Sequence, residues 1–294
     1  MRIIDAHIHL SNLAEYHQIA SSIGAVNQFD YIKKNMQENG IIMSVAMGVG
    51  LSASDSLSSN ETPFLPDLPE EQSDLLLHPF HGQVGMCPGI NPYQLIQNTS
   101  RYVSEVEKLC SLPYVVGLKI YLGYYPFYIH DAIYKPIFEI AQQHNIPVVC
   151  HTGDLSTPDG LLQYAHPLSI DTVAVRHRGT KIVMAHMGNP WLFDAASVAL
   201  KNKNVYIDLS GLFVGKFSLR DLVYEQSGYI KYLKEALDYL YSYDKLMYGS
   251  DWPFAPFSSY IEFIQEVIPY KYHASIFFDN ALSVYQRLLP LVNI

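Results

Sequence analysis

Eight short apolar runs rich in β-branched residues recur along the chain, with helical patterns between most of them. No other feature restricts the fold as much. The runs lie at residues 2–9, 41–49, 83–90, 114–122, 146–151, 181–186, 205–209 and 245–249. Helical spacing of apolar residues predicts helices at 29–39, 99–110, 131–144, 169–176, 191–201, 219–241, 260–267 and 273–288. Strands that alternate with helices make parallel sheets, because a parallel pair needs a long crossover. Eight such units in 294 residues give the count of an α/β protein of the (β/α)8 TIM-barrel type. An open doubly wound sheet usually carries a glycine-rich nucleotide turn after its first strand. Residues 8–13 contain no glycine. No internal repeat or linker interrupts the pattern, so a single domain over 1–294 is expected. Residues 51–82, rich in Ser, Asp, Glu and Pro, predict a long loop after strand two.

Composition excludes several partners. The formal net charge is -9, with 19 Lys+Arg against 28 Asp+Glu, which lacks the basic footprint of a nucleic-acid binder. Three cysteines make no disulfide framework and fit a reducing compartment. No apolar run approaches the ~18 residues of a membrane helix. Arg2 and Asp5 put charge where a signal peptide has its apolar core. The expectation is a cytoplasmic protein that acts on a small molecule, with neither nucleic acid nor membrane as a partner.

The chemistry sits at the ends of the runs. In Asp5-Ala6-His7-Ile8-His9, alternation predicts that Asp5, His7 and His9 share one face and Ile4, Ala6 and Ile8 the other. The fifth run stops at His151, the sixth at His186, and the eighth leads into Asp251. Cys150 should point away from His151. In a barrel of this type the C-terminal strand ends surround the active site. Two histidines from strand one, one each from strands five and six, and an aspartate from strand eight would then converge. Imidazole and carboxylate ligands suit Zn²⁺ and also Mn²⁺, Fe²⁺ or Co²⁺. Such a metal makes hydroxide available near neutral pH.

These segments resemble the amidohydrolase superfamily of metal-dependent hydrolases, and more narrowly its amidohydrolase-2 group of hydrolases, lactonases and decarboxylases. The resemblance is carried by Asp5-Ala6-His7-Ile8-His9, Gly117-Leu118-Lys119-Ile120, His151-Thr152-Gly153, Ala185-His186-Met187-Gly188, Gly249-Ser250-Asp251-Trp252-Pro253 and Asn280-Ala281, in the family's order. It implies metal ligation by His7, His9, His151 and Asp251. It also implies that Asp251 takes the proton from the attacking water, with His186 orienting water or substrate. Lys119 separates two versions. Left as an amine, it faces the substrate beside one ion; carboxylated, it bridges two ions and His186 binds the second. One ion is expected, most simply Zn²⁺ with Mn²⁺ as the alternative.

Lys119, Tyr121, His130 and Trp252 are the expected substrate-binding residues, with Tyr124 and Tyr125 in the same tyrosine-rich turn. Asp5 is expected to support the site rather than bind metal, and Asn280 to pack the last helix. The resemblance also implies a homodimer as the form in which such barrels often occur. The activity expected is hydrolysis of an amide, ester or lactone bond of a small molecule. The alternatives are metal-dependent decarboxylation of an aromatic or dienoic acid, and a barrel that binds without turnover.

Overall fold

The computed structural model describes residues 1–11, 13–48 and 82–292. Most of the expected loop after strand two, with His78 and His81, lies outside the described residues. Eight parallel strands run in chain order: β1 Ile3–Ile8, β2 Ile41–Met47, β3 Val84–Cys87, β4 Leu118–Ile120, β5 Val148–Cys150, β6 Ile182–Met184, β7 Val205–Asp208 and β8 Leu246–Met247. They form one sheet of β1-β2-β3 and one of β4 through β8. Backbone bonds join both seams. Met86 N donates to Tyr114 O and Lys119 N to Pro88 O between β3 and β4. Ala6 N donates to Tyr248 O and Asp251 N to His7 O between β8 and β1. Each strand thus has a neighbour on both sides, as in a TIM barrel. Among the described residues no helix is long and apolar enough to cross a membrane.

Side chains alternate between two apolar layers. Ile4, Ala6, Val45, Val149, Val183 and Met247 fill the interior cluster. Leu118, Ile120, Val148, Cys150, Ile182, Met184, Val205 and Ile207 belong to the larger cluster beneath the helices. This phase places Cys150 away from His151, as alternation predicts, and leaves Lys119, His151 and Asp208 on the inner face. Strand one departs from it. Ile4 and Ala6 lie in the inner cluster but Ile8 in the outer one. The register runs Asp5↔Ser44 and then Ile8↔Ala46, so β1 has one residue more than β2 over this stretch. That β-bulge reverses the alternation. Asp5 therefore does not join His7 and His9; its carboxylate accepts from Ser250 N at 2.9 Å and His7 N at 3.2 Å.

Several predicted boundaries shift. The fourth strand, expected over 114–122, is confined to Leu118–Ile120, with Val115 making only an isolated bridge to Met86. The helix expected over 219–241 breaks at Gln226 into Leu219–Glu225 and Ser227–Leu240. The helix expected over 273–288 is continuous to Val284, with a π-helical stretch at Ser275–Asp279, and breaks at Tyr285 before the turn Gln286–Leu288. Within it, Asn280 Nδ2 donates to Tyr243 O and Leu246 O and pins the helix to the base of β8. Helices Ala14–Ser22 and Pro92–Gln97 were not expected from periodicity. The second starts from its cap: Asn91 Oδ1 accepts from Tyr93 N and Gln94 N, and Pro92 needs no N–H there. Helix Phe29–Glu38 stops where Gly40 takes φ +72, and a Cβ there would meet Met1 O at 2.7 Å.

Candidate metal centre

The strand ends converge as the sequence predicts, but with an unequal division of labour. His7 projects from β1, His9 from just beyond its end, and Asp251 from the turn after β8. His9 Nε2 lies 3.3 Å and His7 Nε2 3.5 Å from Asp251 Oδ1. These three side chains bring ligand atoms within 4.8 Å of one another. Asp251 Oδ1 is buried and accepts no hydrogen bond among the described residues. A buried carboxylate oxygen without a donor is costly. Two imidazole nitrogens aimed at it form the donor set a divalent cation takes.

Asp208, at the end of β7, orders the histidines. Its Oδ2 lies 2.9 Å from His7 Nδ1. Its Oδ1 accepts from Ser210 Oγ, Ser210 N and His186 N. Ser210 Oγ in turn lies 2.9 Å from His186 Nδ1. An ionised carboxylate only accepts, so His7 carries its proton on Nδ1. The Ser210 hydroxyl spends its proton on Asp208, so His186 also donates from Nδ1. Both rings are left with a lone pair on Nε2, the arrangement by which a carboxylate prepares a metal-binding histidine. The grouping of His7, His186 and Asp208 is thus a support for the site, with His7 Nδ1 already engaged.

The electrostatics agree. Burial, then the nearby Lys119 charge, pushes the His7 pKa down to about 3, so the ring is neutral at pH 7. Burial lowers His151 and His186 as well. Burial raises Asp208 and Asp251, but the surrounding histidines outweigh it and hold both below the usual carboxylate range. Asp5 differs: burial dominates and raises it to about 7. Lys119 is fully buried and its Nζ meets His7 Nε2 at 3.5 Å. Among the described residues no carboxylate lies within ion-pair distance of it, and burial lowers its pKa.

Backbone strain is concentrated here. Asp251 has φ +60 and His186 φ +63, a region that costs non-glycine residues free energy and persists where the surroundings enforce it. Gly211 gives them room: a Cβ on it would come within 2.5 Å of His186 Nδ1 and 3.0 Å of Asp251 Oδ2. Gly211→Ala should therefore displace His186. It is expected to lower activity at least tenfold while the far-UV circular dichroism stays that of the parent, and wild-type activity would contradict the packing.

The remaining expected residues are placed unevenly. His151 follows β5 with its ring 4.8 Å from that of His186, but its Nε2 bonds to Asp154 O at 2.9 Å and it stands outside the group of three. Tyr121 is buried, with its ring 5.2 Å from Lys119 Nζ. His130 stacks on Tyr128 at 5.1 Å, and its ring contacts do not reach His7, His9 or Asp251. Trp252, expected to face substrate, is 2% exposed, with its ring stacked on Phe257 inside the apolar core. Its contribution to the site is its carbonyl, which accepts from His9 N. Asp208, Ser210 and Tyr16, whose ring lies 5.6 Å from that of His9, were missed. Asp208 carried a weaker signal than the others, a ligand-type residue inside the seventh run and one before its end. Ser210 and Tyr16 carried none.

A family model described as amidohydrolase matches residues 98–287. No curated protein matches the chain. Among solved structures, an uncharacterised TIM-barrel protein of Bordetella bronchiseptica is 16% identical with a TM-score of 0.68, covering 100% of both chains. A Pseudomonas putida protein named as a 2-pyrone-4,6-dicarboxylic acid hydrolase is 18% identical with a TM-score of 0.63, over 97% of this chain and 98% of its own. A dihydroxybenzoic acid decarboxylase of Polaromonas sp. JS666, with bound manganese and 2-nitroresorcinol, is 17% identical with a TM-score of 0.66, over 97% of each chain. At these identities the likeness is one of fold.

Proposed function

The chain belongs to the amidohydrolase family, and from that premise we propose that it is a metal-dependent hydrolase of an amide, ester or lactone bond in a small molecule. The observation that carries this reading is the unpartnered, buried Asp251 Oδ1 faced by the Nε2 atoms of His7 and His9. Those three residues would hold a divalent ion, Zn²⁺ or Mn²⁺, with His151 as a fourth ligand on the strength of the family pattern. Such an ion supplies Lewis acidity, polarising a carbonyl and making water acidic enough to ionise near pH 7.

The protein's own groups do the rest. Asp251, ionised across the working pH range, accepts a proton at its carboxylate and returns it to the leaving group. His186 presents its Nε2 lone pair beside Asp251 and orients the incoming water. Asp208 and Ser210 keep His7 and His186 from turning. Lys119 stays an amine beside His7 and faces the substrate.

Elemental analysis of protein purified without added metal or chelator tests this. About one equivalent of zinc or manganese per chain is expected, with the unmodified mass at Lys119. Two equivalents with a carboxylated Lys119 would replace it by the two-ion version. No metal, and none taken up on addition, would overturn it. Decarboxylation is the second reading, favoured by the shared fold of the manganese-containing decarboxylase; release of CO₂ from an aromatic acid without hydrolysis of any carbonyl substrate would select it.

A further inference from the structure

The walls beside the metal residues offer hydroxyls and rings rather than cations. The ring of Tyr124 lies 5.1 Å from that of His151, and the ring of Tyr121 6.0 Å from that of Tyr124. Tyr121 is 6% exposed, yet its hydroxyl has no hydrogen-bond partner among the described residues. Folding gains nothing from a buried hydroxyl left unpaired. A polar group kept in that state beside a reaction site is placed to meet a ligand.

The distribution of positive charge is equally one-sided. The segments that leave the strand ends at 9–13, 88–98, 121–131, 151–161, 185–191 and 248–256 contain neither lysine nor arginine. After β7 the single cation of the turn, Lys216, lines a separate open cleft with Phe213 and Phe217. Among the described residues Lys119 is the lysine at these strand ends, deep beside His7. A carboxylate held at a distance from the reacting carbonyl would lose water and gain no charge partner, an unfavourable exchange.

We propose that the substrate bears no ionised group apart from the one that reacts at the metal, and that the Tyr121 hydroxyl donates a hydrogen bond to an uncharged oxygen of it. The chemical class is an aryl or hydroxylated ester, lactone or amide. The inference rests on the hydrolase reading for the bond broken, but the selection against a second charge is independent of it.

Matched pairs test the two separately. For hydrolysis the pair is dihydrocoumarin and its 6-carboxylate; for decarboxylation it is salicylate and 4-hydroxyisophthalate, which adds one carboxylate. All four are assayed with the metal-loaded protein, and binding of the same four is measured by saturation-transfer NMR. The expected result is at least tenfold higher kcat/KM for dihydrocoumarin than for its carboxylate. Turnover of salicylate alone, with 4-hydroxyisophthalate refused, would sink the hydrolase reading and uphold this selection. Preference for the extra carboxylate in either pair would overturn the selection. If nothing turns over, tighter binding of the less charged members supports it, and equal, reversed or absent binding overturns it. Tyr121→Phe should lower kcat/KM for the preferred substrate about tenfold, through KM, with Tm unchanged or raised. A lowered Tm with unchanged KM would overturn the role of Tyr121.

Discussion

Asp251→Asn is expected to cut turnover by about three orders of magnitude while the protein keeps its fold and its Tm to within a few degrees. A positioned general base contributes roughly 10²–10⁴ in rate, and a carboxamide cannot take the proton. The choice of asparagine is dictated by the backbone. Asp251 sits at φ +60, where Asn is tolerated and most residues are not. Alanine would confound lost chemistry with added strain. Steady-state rates beside thermal melts give the answer. Unchanged turnover would remove Asp251 from the reaction, and a collapsed melt would make its role structural.

Asp208→Asn is expected to weaken metal binding by about 10–100-fold, the usual effect of losing an outer partner of a ligating histidine. Asp208 accepts from His7, His186 N and Ser210, so one amide replaces the acceptor that fixes two rings. Asn preserves the volume but brings an NH₂ group where only acceptors fit. The measurement is competition for zinc against a chelating dye, independent of any substrate. An unchanged dissociation constant would show that His7 holds its tautomer without help. Asp208→Ala should instead lose stability, because it strands several buried donors at once.

The barrel was legible because its strands are short apolar runs with ligand-type residues at their ends. Cys150-His151 and Asp251 could be placed from that pattern before any geometry. What the pattern hid is equally physical. His7 and Asp5 share a parity in sequence, yet a local extra residue separates them, and no periodicity announces a bulge. Trp252 follows a candidate metal ligand, but its ring goes where apolar area can be buried, against Phe257. Tyr16 rides on a helix whose apolar stripe is weak, and it reaches His9 only through the fold. The helical backbone breaks at Gln226 and again at Tyr285. Helical spacing alone runs straight through both.

The bulge in β1 makes that strand a joint between two phases. Below it, Ile4 and Ala6 contribute to an apolar layer whose requirement is volume. Beyond it, His7 and His9 turn toward Asp251 as candidate ligands. With strict alternation, the parity that turns the histidines inward would turn Ile4 and Ala6 out of the interior. The extra residue uncouples those demands. The interior packing can then drift through sequences of similar bulk while the reactive layer above it keeps its orientation.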